Sequence, residues 1–283
     1  MANSTLHPPA NLATRLLGLN SSIFSLTACL GQSVVQKYAS YVPRLIARLH
    51  RPRQGNFLLS TYGVWLTSEA SDRTYKMCVD GSYGPFYQNY VSRLPRCHFM
   101  DIGSNIGLYS LVAGQNRNIS RIFSFEPNPQ TYGYLVENLR FNHVTNATPV
   151  AKAISGAMGH FVLKTYSGHL GKASMRPDTE QDPPDGEITI ETVDQDFMNS
   201  LMPDDKVPVA IKIDVEGHEI VVIETLRKAR LWKNVFSIYF EVDERYIDVR
   251  KVVSMLEGDG FRLKSKNGER VHYDLLYERA LQA

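Results

Sequence analysis

Cysteine is scarce in this sequence, and long apolar runs are missing. The 283 residues include only three cysteines, Cys29, Cys78 and Cys97, and none of them forms a CxxC pair. An odd number at these spacings argues against both a disulfide framework and a structural zinc site. No run of about 18 apolar residues occurs, so we expect no transmembrane helix. These absences favour a globular protein of a reducing compartment, and we expect a cytoplasmic location.

Acidic residues are missing from the first 68 positions, which hold six Lys and Arg residues. Apolar residues recur there at helical spacing with basic residues between them, which predicts a helical, basic extension leading into the core over residues 1–95. The basic stretch 37–53 could contact an anionic surface or the periphery of a membrane, although such runs are more often solvated faces. Residues 26–29 resemble a lipoprotein cleavage box, and the acid-free start resembles an organellar transit peptide, so these two alternatives to the cytoplasm stay open.

The charge of the whole chain is close to neutral. Its net charge is +2, which does not favour nucleic acid as a partner. The sequence contains no P-loop, no nucleophile elbow and no HExxH motif. Any catalytic residues are therefore expected at the ends of the predicted strands.

From residue 96 to the end, β-type and helix-type patterns alternate. Short apolar runs at 98–103, 121–125, 147–154, 207–213 and 235–240 predict strands, with helices between most of them. This alternation predicts an α/β domain over residues 96–283, with a doubly wound, mostly parallel sheet. The last two strand patterns, 261–264 and 273–278, are too close for a crossover helix, so we expect an antiparallel pair that turns at Asn267-Gly268. Residues 156–192 break the alternation and predict an inserted β arm near the strand ends.

A glycine loop follows the first strand of this domain. Gly103 and Gly107 allow a sharp turn and close approach of a ligand, while Asn105 replaces the middle glycine of a dinucleotide fingerprint. Asp101, just before the loop, would repel a pyrophosphate and attract a cation. This pattern favours S-adenosylmethionine, which carries an ammonium, a sulfonium and no phosphate.

Acids also stand at three later strand ends. Glu126 lies 25 residues after Asp101, where a carboxylate can accept both ribose hydroxyls; a helix cap is the alternative. The segment 214–219, DVEGHE, follows the most apolar strand and supplies Asp214 and His218. Glu241 follows the next strand. His218, Glu241 and Asp214 are our candidates for a general base, with a structural histidine and a salt-bridged glutamate as the alternatives.

Together these motifs resemble the FkbM family of S-adenosylmethionine-dependent methyltransferases. The resemblance rests on residues 99–110 (FMDIGSNIGLYS), 125–129 (FEPNP), 191–194 (ETVD) and 211–219 (IKIDVEGHE). It implies a seven-stranded, Rossmann-like class I methyltransferase fold. It also implies O-methylation of a hydroxyl on a sugar or a secondary metabolite, with a small molecule or glycan as acceptor.

The resemblance also implies roles for particular residues. The loop 101–107 and Glu126 would bind the methyl donor, Ala153 would lie near its adenine, and Asp214 near its methyl group. Ser104 departs from the alanine that is usual in the family. Magnesium is compatible with these acids, although nothing in the sequence requires it. A nicotinamide-dependent oxidoreductase and a noncatalytic donor-binding or scaffold protein remain as alternatives.

Overall fold

The computed structural model describes residues 51–70, 72–165 and 186–280. The predicted basic helices before residue 51, Cys29, and the tip of the inserted arm at 166–185 lie outside the described residues.

Residues from Pro52 onward form one compact unit. Its strands are β1 (Arg53–Gln54), β2 (Phe57–Leu59), β3 (Trp65–Thr67), β4 (Cys97–Ile102), β5 (Ile119–Phe125), β6 (Ala147–Val150), β7 (Ala153–Ile154), β8 (Gly159–Thr165), β9 (Gly186–Val193), β10 (Val209–Ile213), β11 (Val235–Asp243), β12 (Arg262–Glu269) and β13 (His272–Glu278). Its α-helices are α1 (Arg73–Asp80), α2 (Pro85–Val91), α3 (Leu108–Gln115), α4 (Pro129–Phe141), α5 (Gln195–Leu201), α6 (Glu219–Lys228) and α7 (Val249–Gly258), and a 3-10 helix spans Arg230–Asn234.

The core is a seven-stranded sheet in the order β12-β13-β11-β10-β4-β5-β6. β13 pairs antiparallel with both of its neighbours, while the other pairs in this sheet are parallel. The central strands β4 and β10 are buried along their whole lengths, as near-continuous apolar runs require. Apolar clusters on the two faces join the sheet to α6 and α7 on one side and to α2 and α3 on the other. The predicted doubly wound, mostly parallel fold is confirmed.

The described part of the N-terminal lead-in differs from the helical extension that the sequence predicted. β1, β2 and β3 form a small antiparallel sheet, and α1 and α2 follow it. Two amides, one on α4 and one directly after it, hold this sheet in place: Asn138 accepts from the backbone N–H of Thr67, and Asn142 from that of Trp65, each over 2.8 Å. Side-chain amides that bond backbone groups of a distant segment leave no signal in a hydrophobic pattern, which explains the difference.

Two boundaries of the predicted core strands are corrected by the structure. The single strand expected at 147–154 is two strands, because the chain leaves the main sheet after Val150 and β7 pairs with β9 of the arm. The last hairpin turns at Arg270-Val271 and not at Asn267-Gly268, since Glu269 pairs with His272. Gly268 instead allows the two strands to approach closely: a Cβ there would lie 2.8 Å from the Cα of Tyr273.

The inserted arm is present as a hairpin of β8 and β9, with β7 on the far side of β9. Asp194 caps the helix that follows, accepting from the backbone N–H groups of Asp196 and Phe197. None of the helices in the described ranges is long and apolar enough to cross a lipid bilayer.

Candidate active site at the carboxyl ends of the strands

The loop after β4 folds tightly against the neighbouring strand ends. The N–H groups of Gly103 and Ser104 both donate to the carbonyl of Phe125, over 3.0 and 2.9 Å. Gly103 has φ of 73°, and a Cβ there would overlap the carbonyl oxygen of Asp214. Gly107 has φ of 88°, and a Cβ there would lie 2.6 Å from a methyl group of Leu135. Both glycines are therefore required by the backbone path, as the sequence predicted for a turn of this kind.

Glu126 is buried at the end of β5, and its carboxylate faces this loop. Oε2 accepts from the N–H of Asn105 over 2.9 Å, and Oε1 accepts from the N–H of Asn128 over 3.0 Å. Burial raises the pKa of Glu126 to about 7, against the lowering effect of these two N–H groups. Each oxygen keeps a further lone pair, so the carboxylate can still accept two hydrogen bonds from a ligand.

Lys212, which lies in the apolar run of β10, is the cation of the site, and the sequence analysis gave it no role. Its Nζ donates to the carbonyl of Gly103 over 2.8 Å and lies 3.2 Å from Asp214 Oδ2 and 3.7 Å from Asp101 Oδ1. A lysine inside a fully buried strand requires a carboxylate partner, and that requirement is the signal that could have revealed it. The nearby carboxylates raise the pKa of Lys212 despite its burial, while Lys212 in turn holds the pKa of Asp214 below its usual value.

Tyr83, in the turn between α1 and α2, also reaches this site. Its hydroxyl donates to Asp214 Oδ2 over 2.9 Å. Asp214 is therefore held by a lysine of the strand that it follows and by a tyrosine from the N-terminal segment. No motif in the sequence marks Tyr83, and the sequence analysis did not identify it.

A first cavity, which we call the Glu126 cleft, opens beside the loop. Glu126, Asn105 and Gly103 line it together with Asp214 and Tyr83. Its other lining residues are Ile102, Phe125, Pro127, Lys152, Ala153, Ile154, Leu163, Val215 and Glu216. The structure thus brings Gly103, Asn105, Glu126, Ala153 and Asp214 together around one space.

A second cavity, which we call the Glu241 cavity, adjoins the cleft. It shares Tyr83 and Asp214 with the Glu126 cleft. Its other lining residues are Gly84, Tyr109, Lys212, Ile213, Tyr239, Glu241 and Asp274. The two spaces therefore meet at Asp214 and Tyr83.

Three residues that we expected to contact the methyl donor lie behind the lining of the cleft. Asp101 is fully buried, and its Oδ2 accepts from Ser110 over 2.6 Å. The hydroxyl of Ser104 donates to the carbonyl of Asp101 over 2.7 Å, and Gly107 packs on Leu135. Asp101, Ser104 and Gly107 do not line either cavity among the described residues. They shape the loop and hold Lys212, which is a different role from the direct ligand contact that we expected.

His218 and Glu219 also lie outside the two cavities in the described structure. His218 stands at the start of α6, where its Nε2 lies 3.1 Å from the Ser155 hydroxyl, and burial lowers its pKa. Glu219 accepts from the N–H groups of Val215 and Gly217, each over 3.2 Å, and so holds the turn 214–219 in shape. This placement does not favour His218 as the general base.

Glu241 lies inside β11, which continues to Asp243, and not at a strand end as expected. Its Oε1 lies 2.7 Å from Nε2 of His272. Asp274 on β13 is its direct register partner, so two acids stand opposite each other on neighbouring strands. Burial and the charge of Asp214 raise the pKa of Glu241, and burial raises that of Asp274 to about 6.

Three carboxylates at this junction could share a metal ion. One ligand atom from each of Asp214, Glu216 and Glu241 lies within 4.8 Å of the others. Oxygen ligands of this kind suit magnesium, which usually keeps several waters and binds through one or two carboxylates. The geometry is compatible with a metal, and the contacts of Asp214 with Lys212 and Tyr83 already satisfy part of its charge.

Comparison with known protein families shows to which family this chain belongs. The model of the FkbM methyltransferase domain matches residues 101–263, which is more than half of the chain. The chain belongs to the FkbM methyltransferase family. It is 31% identical over 158 residues to the hexuronic acid methyltransferase AglP of Haloferax volcanii, an alignment that covers 54% of this chain and 60% of AglP. It is 24% identical over 206 residues to methyltransferase sdnD of Sordaria araneosa, which covers 63% of this chain and 79% of sdnD.

Solved structures include another protein described as an FkbM methyltransferase, from Methylobacillus flagellatus KT. That structure is 15% identical, with a TM-score of 0.46, and the superposition covers 86% of this chain and 60% of the other. The match to the FkbM domain model confirms the family resemblance drawn from the sequence. The FkbM domain match ends before Asp274 and begins after Tyr83, so both cavities include residues from outside it.

Proposed function

We propose that this FkbM protein transfers a methyl group from S-adenosylmethionine to a hydroxyl group of a small molecule or glycan. The observation that carries this proposal is the Glu126 cleft, in which the buried Glu126 and Asp214 line one space beside the glycine loop. In α/β sheets of this type, ligands bind outside the carboxyl ends of the strands.

The residues of the Glu126 cleft fit this donor by their chemistry. Glu126 has free lone pairs for two ribose hydroxyls, and Ala153, Ile154 and Leu163 supply an apolar wall suited to an adenine. The cleft has one lysine, Lys152, and this lysine pairs with Glu191. Acids in excess of free cations suit a positively charged donor and disfavour a pyrophosphate, which argues against a nicotinamide dinucleotide.

The chain's own residues would perform three tasks in the reaction. Glu126 and the loop at Asn105 fix one end of the donor, which supplies an electrophilic methyl group on a positively charged sulfur. Asp214, at the junction of the two cavities, orients the acceptor hydroxyl, since it stays ionised beside Lys212 and Tyr83. Alignment of two reactants in this way can lower a barrier by about 7–11 kcal/mol.

Glu241 is the residue that we assign to accept the acceptor's proton. It lines the Glu241 cavity beside Asp214, and its raised pKa makes it a stronger base than an ordinary carboxylate. His272 lies within hydrogen-bond distance of the other side of this carboxylate and holds it in place. A general base of this kind typically contributes about a hundred- to ten-thousand-fold to the rate.

A sugar hydroxyl is our first choice of acceptor. One relative of this chain is named for methylation of a hexuronic acid, and it aligns over 60% of its own length. The Glu241 cavity combines tyrosines with carboxylates, and carboxylates can accept hydrogen bonds from several hydroxyls of one ring.

Calorimetric titration with S-adenosylhomocysteine tests the donor site, with NAD as a parallel ligand. We expect micromolar binding of S-adenosylhomocysteine and a loss of at least tenfold in affinity in Glu126→Gln. Glu257→Gln, which changes an exposed glutamate on α7, serves as the matched control. Binding of NAD in preference, or equal affinity in the two variants, would contradict the proposal.

A further inference from the structure

The Glu241 cavity is lined by groups whose charges are unequal. Asp214, Glu241 and Asp274 contribute three carboxylates to its wall, and Lys212 contributes the one ammonium group among the described lining residues. The wall of this cavity therefore carries a marked excess of negative charge.

Lys212 has no charge left to offer an anion in this cavity. Its Nζ already contacts two carboxylates, at 3.2 Å on Asp214 and 3.7 Å on Asp101, and donates to the Gly103 carbonyl over 2.8 Å. It is also almost completely buried. An anionic ligand would have to compete with these three partners, which lie on β4, on the loop after β4 and directly after β10.

His272, like Lys212, already has a carboxylate partner. It stands on β13 and lies 2.7 Å from Glu241, the carboxylate that faces the cavity. The Nε2 atom of His272 is thereby engaged with the Glu241 carboxylate and is not free to meet an anionic ligand.

Glu241 and Asp274 are an unfavourable pair for the stability of the sheet. They are direct register partners on the antiparallel strands β11 and β13. Like charges directly opposite each other in a sheet are destabilising, so packing alone does not account for this arrangement. Glu241 already pairs with His272 and Asp274 with Tyr239, and the remaining lone pairs of both carboxylates can accept from a ligand with several hydroxyl groups.

We infer that the Glu241 cavity takes a sugar without an anionic group and discriminates against uronates. This inference rests on the proposed methyl transfer and specifies its acceptor. A carboxylate on the sugar would enter the field of Asp214, Glu241 and Asp274 without a free cation to meet it. Neutral hydroxyls and a protonated amino group find hydrogen-bond acceptors at the same positions.

Methyl glycosides matched in ring but different in charge test the inference. The gluco, galacto and manno series are each used as the neutral pyranoside, the 6-carboxylate and the 2-amino sugar, with methyl-labelled S-adenosylmethionine at pH 7.5. Within the series that is turned over, we expect kcat/KM for the neutral or amino form to exceed that of the uronate at least tenfold. Equal or better turnover of the uronate would overturn the inference.

Two further measurements distinguish a preference that is due to charge from one that is due to the shape of the cavity. Asp274→Asn should reduce the neutral-to-uronate ratio at least threefold, while Asp196→Asn on the exposed face of α5 should leave it unchanged. In the unmodified protein, added salt should reduce the same ratio, because salt screens the repulsion. A ratio that responds to neither change would show that shape alone sets it and would overturn the inference.

The titration with S-adenosylhomocysteine distinguishes this failure from that of the proposed function. Binding of S-adenosylhomocysteine with no methylation of any sugar would overturn the sugar acceptor and leave the donor site standing. Absence of binding would overturn the methyl-transfer proposal itself.

Discussion

The hydroxyl of Tyr83 donates a hydrogen bond to Asp214 Oδ2 over 2.9 Å, although 131 positions separate the two residues along the chain. Tyr83 precedes the region that matches the FkbM domain, and Asp214 follows the central strand β10. Both side chains line both cavities. The N-terminal segment is thereby part of the site and not only a support for the sheet.

Tyr83→Phe should weaken turnover while the fold is retained. A hydrogen bond to a charged group contributes about 1.5–3 kcal/mol, so its loss at Asp214 predicts a fall of roughly tenfold to a hundredfold in kcat/KM. The measurement is methyl transfer to the best acceptor of the panel. Tyr134→Phe, on the outer part of α4, is the matched control and should behave like the unmodified protein.

Gly103→Ala should destabilise the protein strongly. The new Cβ would overlap the carbonyl oxygen of Asp214, and the residue has φ of 73°, where alanine is strained. Gly133→Ala is the contrast, because no atom lies within 4 Å of the new Cβ and helix α4 gains about 0.5–1 kcal/mol from alanine. Thermal unfolding of both variants checks this, and a Gly103→Ala variant as stable as Gly133→Ala would show that the loop can move aside.

Lys212→Met should lower the free energy of unfolding by about 3–5 kcal/mol. The substitution leaves Asp101 and Asp214 without their cation in a buried position, and removal of one partner of a buried pair has this magnitude. Urea unfolding measures the change. Lys228→Met, at an exposed position of α6, should change stability by less than about 0.5 kcal/mol.

Glu241→Gln and His218→Ala should differ in their effect on catalysis. We expect Glu241→Gln to lower turnover about a hundredfold or more, since it removes the group assigned as proton acceptor. Its affinity for S-adenosylhomocysteine should change less than twofold, because Glu241 does not line the Glu126 cleft. His218→Ala should keep most of its turnover, and the opposite ranking would return the general base to His218.

The contribution of His272 to stability should depend on pH in a definite direction. Its pKa is about 9 in the folded protein because of Glu241, above the usual 6.5, so the folded state favours the protonated form. The stabilisation is complete below about pH 6.5 and disappears as pH rises through about 9. The difference in urea midpoint between the protein and its His272→Gln variant should therefore shrink from pH 6 to pH 10. His160→Gln, at an exposed position of β8, should show no such trend.

The sequence predicted the parts of the fold that depend on apolar runs. β4, β10 and the helices that follow them are long enough and apolar enough for their patterns to decide their type. The predicted position of the last hairpin turn was wrong. The Asn267-Gly268 pair is typical of turns, but the strand register places it inside β12. Register depends on side-chain packing between strands, and a single sequence does not specify it.

The candidate site was only partly predictable for a related reason. Gly103, Asn105, Glu126 and Asp214 follow strands whose ends meet at one edge, so their convergence follows from the topology. Asp101 follows the same rule, but its side chain is fully buried, where Ser110 donates to it and Lys212 balances its charge. Lys212 lies inside the quoted motif 211–219, and only its burial reveals its role. Residues that reach the site from other segments are defined by tertiary contacts and carry no local motif. They are Tyr83, His272 and Asp274.

The wall shared by the Glu126 cleft and the Glu241 cavity makes their occupants cooperative. A ligand that contacts Asp214 or Tyr83 from one side changes the field and the freedom of the same groups on the other side. Thermodynamic linkage then requires each ligand to change the affinity of the other by the same factor. The sulfonium of the donor becomes a neutral thioether when the methyl group leaves. The coupling between the affinities of the two ligands therefore differs before and after transfer. The order in which substrates enter and products depart is thereby tied to the carboxylate of one residue.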